Sequence, residues 1–273
     1  MPYATAKDGT RLYYKDWGEG RPVVLIHGWP LSGDTFDEAA LALAENGFRA
    51  IVPDRRGFGR SDQPWEGYDY DTFADDVAAV ILDAKVAGPV ALAGFSMGGG
   101  EVARFLSRHG SAQVSHAVLI GSVVPYLLKT GDNPNGAPKE VFDGMIDAIR
   151  ADKAEFFRNF LRDFFGVGSG AQVSEAAIDN AWRQAMMAGL RPTVACVRAF
   201  SETDFRPDLS AFTVPTLIVH GVRDQTVPIE LTARAAASAI PNARLVAYED
   251  GAHGIFASHG ERLIGDLLEF LGA

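Results

Sequence analysis

The chain has 273 residues, 47% of them hydrophobic and 22% charged, which supplies a large core and excludes a disordered chain. A formal net charge of −10 leaves no basic stripe to neutralise phosphates, which argues against nucleic acid or an anionic membrane as the main partner. A single cysteine, Cys196, rules out an intrachain disulfide; it lies in an apolar helical stretch and is expected as a buried, inert thiol. The N-terminus lacks the charged-then-apolar pattern of a secretion signal, and no apolar run reaches the length of a membrane span. A cytoplasmic location is therefore expected.

In chain order, residues 11–17 alternate like an early strand after the turn at Asp8-Gly9. Residues 22–26 form a continuous apolar run, which suits a strand covered on both faces. It ends in His27-Gly28-Trp29-Pro30. Residues 34–46 are helical in pattern, with Gly47 placed to stop the helix. A strand at 48–52 leads into the glycine-punctuated loop Asp54-Arg55-Arg56-Gly57-Phe58-Gly59-Arg60-Ser61-Asp62. Residues 70–87 read as an amphipathic helix that buries Phe73, Val77, Val80, Ile81 and Ala84.

Residues 89–93 read as a short buried strand, Met97 to about His109 as a helix, and 117–121 as another strand. This alternation is that of a parallel sheet covered by helices. From 122 to 207 the alternation stops. After a breaker-rich loop at 133–138, helical segments follow at 139–150, 153–165, 174–188 and 192–203. This stretch reads as an aromatic-rich helical cap inserted into a core formed by 1–121 and 208–273. Strands resume at 215–219 and 244–248, with helices at 231–239 and 259–271.

Between the strand at 89–93 and its helix lies Gly94-Phe95-Ser96-Met97-Gly98, a G-x-S-x-G pattern in strand–turn–helix context. The two glycines let strand and helix pass without a Cβ clash, and the turn lifts the Ser96 hydroxyl above the sheet edge. The backbone N–H of Met97, at the helix N-terminus, then points at an oxyanion formed on a carbonyl attacked by Ser96. The plainer reading is a tight turn with a serine cap.

A serine hydroxyl needs a base, and the base an orienting carboxylate. The chain has six histidines: His27, His109, His116, His220, His253 and His259. His253 sits in the glycine-flanked loop Asp250-Gly251-Ala252-His253-Gly254, after the final strand. Asp224 follows the strand at 215–219, with Asp204, Asp208 and Asp250 as its competitors. Catalytic groups of open parallel sheets sit at the C-terminal strand ends, where Ser96, Asp224 and His253 all fall. A second oxyanion donor is expected from the loop after Ile26. Trp29 N–H is the candidate, because Gly28 clears space and Pro30 has no N–H. His27 is expected as a structural hydrogen-bonding histidine.

These segments, together with His220-Gly221-Val222-Arg223-Asp224, resemble the α/β-hydrolase superfamily over essentially the full length. Within it the chain is similar to the bacterial group of aryl esterases, cofactor-free haloperoxidases (perhydrolases) and some γ-lactamases. The resemblance implies an α/β fold with an eight-stranded, mostly parallel sheet. It implies Ser96 as nucleophile, His253 as base, Asp224 as acid, and the Trp29 and Met97 N–H groups as oxyanion hole. Position and resemblance make Trp29, Val123, Phe160, Phe164, Phe200 and Val227 the expected pocket walls. Pro30 after the oxyanion residue is similar to members noted for perhydrolysis.

No metal or nucleotide motif appears, and no cofactor is expected. The expected activity is hydrolysis of small aryl or short-acyl esters. Perhydrolysis and small-lactam hydrolysis are the alternatives, and a non-catalytic ligand receptor is the rival from another class. The expected partner is a small-molecule ester; a homo-oligomer is plausible by analogy with the family.

Overall fold

The apolar runs at the centre of the chain become the middle of an eight-stranded sheet in the computed structural model, which describes residues 2–168 and 170–272. The strands are β1 (Tyr3–Thr5), β2 (Arg11–Trp17), β3 (Arg21–Ile26), β4 (Phe48–Pro53), β5 (Val90–Phe95), β6 (Val114–Ile120), β7 (Thr216–Gly221) and β8 (Ala243–Tyr248). Their order is β1-β2-β4-β3-β5-β6-β7-β8. The pairs β1/β2 and β2/β4 are antiparallel and all others parallel. Strand β3 is central and covered on both faces. Its Val23, Val24, Leu25 and Ile26 are at most 1% exposed, so the run needs no polar alternation.

Chain order fixes which face each helix covers. From β3 the chain passes through α1 (Asp37–Glu45) to β4 on one side, then through α2 (Tyr70–Asp83) back across β3 to β5 on the other. Both crossovers are right-handed only if α1 and α2 lie on opposite faces. The next unit, through α3 (Met97–His109) to β6, continues in the same direction and puts α3 beside α2, where the two helices pack together. Helix α1 packs instead against α10 (Gly260–Leu271), on the other face. The reversal places the topological switch point between β3 and β5, whose ends pair with Ile26 opposite Gly94. A crevice opens at the C-terminal ends of such strands.

Between β6 and β7 the chain forms α4 (Lys139–Ala151), α5 (Lys153–Phe164), α6 (Glu175–Met187) and α7 (Leu190–Glu202). These start and stop near the residues expected from their apolar spacing. Helix α4 packs on α5 and α7, and α5 on α6. Asp152 and Ser174 cap α5 and α6 by accepting the N–H groups of Glu155 and Ala177. Helices α8 (Ala233–Ala239) and α9 (Ile255–Ser258) complete the set.

Several boundaries differ from the sequence expectation. The helix expected over 34–46 opens as a 3-10 turn, Gly33–Phe36, capped by Ser32, before α1 begins. The helix expected over 70–87 ends at Asp83, because the chain turns through positive φ at Lys85 (51°) and Gly88 (85°). Strand β1, the 3-10 turn Arg206–Ala211 and α9 were not expected. All three are short and lack a periodic apolar signal. Among the described residues, no helix is long and apolar enough to cross a membrane.

Candidate active site

Ser96 lies between β5 and α3 with φ 53° and ψ −117°, a conformation that costs a non-glycine residue roughly 1–3 kcal/mol. The flanking packing holds it there. A Cβ at Gly94 would stand 2.2 Å from the Gly98 carbonyl oxygen, and one at Gly98 would stand 2.3 Å from the Ile26 carbonyl oxygen. Neither neighbour is a flexible side chain, so strand, elbow and helix meet only if both positions are glycine. Gly98→Ala is accordingly expected to destabilise the fold by about 3 kcal/mol, at the upper end of overpacking costs. Urea unfolding reads the value, and a loss below about 1 kcal/mol would contradict so close an approach.

Of the six histidines, His253 is the one that reaches Ser96. Its Nε2 is 2.9 Å from Ser96 Oγ, and its Nδ1 is 2.6 Å from Asp224 Oδ2. With Nδ1–H donating to the carboxylate, Nε2 carries the lone pair that accepts the serine proton. Asp224 is over-determined in turn. Its Oδ1 accepts the N–H groups of Thr226 at 2.9 Å and Val227 at 2.7 Å. Its Oδ2 also faces His220 Nε2 at 3.2 Å. Burial alone would push the Asp224 carboxyl up, but His253 and His220 outweigh it and hold the group well below the usual carboxylate range. Phe164 and Phe95 pack against the His253 ring at centroid distances of 4.8 and 5.0 Å, keeping water from its faces.

The competing groups are engaged elsewhere. His109 pairs with Asp75, His259 with Asp250, and His116 packs on Phe270. Asp204 is held by Arg206, and Asp208 by Arg104. His27 is fully buried. Its Nε2 accepts the backbone N–H of Arg55 at 2.9 Å, and its Nδ1 donates to the Gly28 carbonyl at 2.9 Å. Burial, reinforced by the Arg55 charge, depresses its pKa well below the usual value and keeps it neutral. Cys196 is buried with its thiol pushed up to about 12, which makes it an inert packing residue.

Two backbone N–H groups lie on the segments that meet at Ser96. Met97 is the first residue of α3, so its N–H has no intrahelical acceptor. Trp29 comes from the turn after β3. That turn sits against the elbow because Gly28 has no side chain: a Cβ there would stand 2.7 Å from the Phe95 ring and 2.9 Å from Ser96 Cβ. The Trp29 indole N–H donates to the Thr193 carbonyl of α7 at 3.1 Å. Its ring packs among Phe157, Phe160 and Phe200 at 5.1–5.5 Å. One residue thus joins the loop beside Ser96 to the helices above it.

Ser96 and His253 open into a cavity of about 790 Å³. Of the expected walls, Trp29, Val123, Phe160, Phe200 and Val227 line it. Phe164 does not. It is completely buried and its ring lies edge-on to His253, so it supports the imidazole rather than facing the cavity. Leu127, Phe142, Met145 and Phe156 are further apolar walls, with Asp163 and Gln225 among the polar ones. Helical spacing placed these aromatics in the right elements but could not say which face of each helix looks down on Ser96. The Asp224–Thr226–Val227 turn, in which a carboxylate accepts the N–H groups two and three residues on, had a local signal in the aspartate itself. The contact from His220 had none.

The family model described as "alpha/beta hydrolase fold" matches residues 21–260. A non-heme haloperoxidase of Rhodococcus erythropolis is 45% identical to the chain, with 99% of each chain covered. The bifunctional esterase/perhydrolase DCH of Acinetobacter calcoaceticus is 43% identical, again with 99% of each covered. Among solved structures, a bromoperoxidase from Bacillus anthracis superposes with a TM-score of 0.94 at 42% identity, covering 100% of both chains. An esterase from Exiguobacterium antarcticum superposes with a TM-score of 0.94 at 34% identity and 99% coverage of each. Sheet order, switch point and these relatives agree: the chain belongs to the α/β-hydrolase family.

Proposed function

We propose that the protein is a serine hydrolase of small, uncharged carboxylic esters with aryl or short acyl groups. The observation that carries this reading is the unbroken hydrogen-bond chain from Ser96 Oγ through His253 to Asp224, opening into an apolar cavity. In the first half-reaction Ser96 Oγ attacks the ester carbonyl carbon while its proton passes to His253 Nε2. The carbonyl oxygen becomes an oxyanion held by the N–H groups of Trp29 and Met97. The tetrahedral intermediate collapses, the C–O bond to the leaving group breaks, and the alcohol departs with the proton from His253. In the second half-reaction water attacks the acyl-enzyme and gives a proton to His253, which passes it to Ser96 Oγ as the acyl C–Oγ bond breaks and the acid is released. Residues 122–207 act in this reading as a cap that closes the cavity and selects the acyl and alcohol groups.

Perhydrolysis is the second reading. The names of the relatives from Acinetobacter calcoaceticus and Rhodococcus erythropolis favour it, as does Pro30 beside Trp29. Hydrogen peroxide then replaces water in the second half-reaction. The acyl group leaves Ser96 as a peracid, with the same proton transfer to His253. One experiment ranks the two: partition of the acetyl-enzyme formed from p-nitrophenyl acetate between water and added peroxide, read as acetate against peracetic acid. Mainly acetate at millimolar peroxide in water is expected for an esterase. A peracid excess would put perhydrolysis first. No acetyl transfer to either nucleophile would sink both readings.

A further inference from the structure

We propose that Arg55 and Glu101 are positioning residues of the oxyanion hole, their buried ion pair locking the turn that carries Trp29 onto the helix that begins at Met97. The inference rests on the acyl-transfer reading above. Neither residue lines the cavity, so neither touches substrate. They are 5% and 2% exposed, and Glu101 lies on α3, four residues after Met97.

The connection can be followed atom by atom. Arg55 Nε donates to Glu101 Oε1. From the same guanidinium, Nη2 donates to the His27 carbonyl at 2.5 Å. The Arg55 backbone N–H donates to His27 Nε2 at 2.9 Å, which leaves the imidazole proton on Nδ1. That proton is donated to the Gly28 carbonyl at 2.9 Å, and the same carbonyl accepts Leu31 N–H at 3.0 Å. The Gly28 carbonyl and the Trp29 N–H belong to one planar trans peptide unit and point in opposite directions. Fixing the carbonyl therefore aims the N–H. Glu101, Arg55 and His27 thus tie the direction of one oxyanion donor to the helix that carries the other.

Stability alone does not account for the pair. Taking two charges out of water usually costs as much as their attraction returns, and apolar side chains of similar volume often serve as well. Burial pushes the Glu101 carboxyl up to about 7 even with Arg55 beside it. A carboxylate in the early turns of α3 would also compete with an oxyanion for the helix N-terminus. The Arg55 charge offsets it.

The test compares wild type, Arg55→Met/Glu101→Met and Glu101→Gln. Four quantities are measured: kcat/KM on p-nitrophenyl acetate, inhibition by a trifluoromethyl ketone, binding of a neutral aromatic, and the melting temperature. The ketone forms an anionic tetrahedral adduct on Ser96 and so reports the oxyanion hole directly. The double variant leaves no unpaired buried charge and is expected to melt near wild type. Its kcat/KM and its ketone affinity are expected to fall together by about 10–100-fold, the scale of a misplaced catalytic contact. Binding of nitrobenzene, an uncharged occupant of the cavity, is expected to stay unchanged. A folded double variant with wild-type ketone affinity would overturn the proposal. Should the double variant fail to fold, Glu101→Gln decides. It keeps size and an acceptor for Arg55 but weakens the bond, so a parallel loss of about fivefold in both quantities is expected. No loss in either would overturn the proposal. Wild type that neither hydrolyses the ester nor binds the ketone would instead overturn the acyl-transfer reading itself.

Discussion

Ser96→Ala is expected to lower kcat for p-nitrophenyl acetate by about a million-fold, the loss typical when the nucleophile of such a triad is removed. Nothing near it can take over. The cavity that Ser96 and His253 share is walled mainly by apolar side chains, with Asp163 and Gln225 among the polar ones, and its described lining holds no other serine and no cysteine. The variant should remain folded, because among the described residues the Ser96 hydroxyl bonds only to His253 and its backbone bonds do not involve the side chain. Steady-state kinetics with a melting curve on the same sample separates the two effects. A loss of less than about a hundredfold in a folded variant would contradict the assignment of Ser96 as nucleophile.

Asp224→Asn is expected to lower kcat by about 10⁴-fold without loss of fold. The backbone N–H groups of Thr226 and Val227 both point at Oδ1, so the amide oxygen of asparagine must occupy that site. Its NH₂ then faces His253 Nδ1. An NH₂ can only donate, so Nδ1 loses its proton and Nε2 acquires one. The imidazole is then in the tautomer that cannot accept a proton from Ser96. Stability adds a second readout. Because its partners hold Asp224 below the ordinary value of 3.8, their contribution to wild-type stability is present above that pH and lost as pH falls through the folded-state pKa. The stability gap between wild type and variant is therefore expected to narrow in acid. A tenfold or smaller drop in kcat would show that the aspartate does not set the tautomer.

Much of this site was legible in the sequence because its parts sit at strand ends, and strand ends are marked. Continuous apolar runs located β3, β5 and β7, and the residues just past them are Trp29, Ser96 and Asp224. The glycines at 94 and 98 announced the close approach that the backbone then makes. Other features carried no local mark. Strand β1 has three residues and pairs only at the sheet edge. Phe164 falls on a helix where either face could meet the cavity, and packing against His253 turned it inward. Arg55 and Glu101 are 46 residues apart. One lies in the loop after β4 and the other in the helix after β5, and the pairing of β3 with both strands brings them together. A contact of that kind follows from topology, which a periodic pattern does not encode.

The central claim is that Ser96 carries the acyl group between two half-reactions. It is tested most directly by mixing the enzyme with p-nitrophenyl acetate, quenching in acid within the first turnover, and locating the acetyl group by peptide mass spectrometry. The expected result is one acetyl group on the peptide that contains Ser96, lost on further incubation with water and absent from Ser96→Ala. Ester turnover with no acetylated peptide, or with the acetyl group on another residue that turns over at the rate of catalysis, would contradict it.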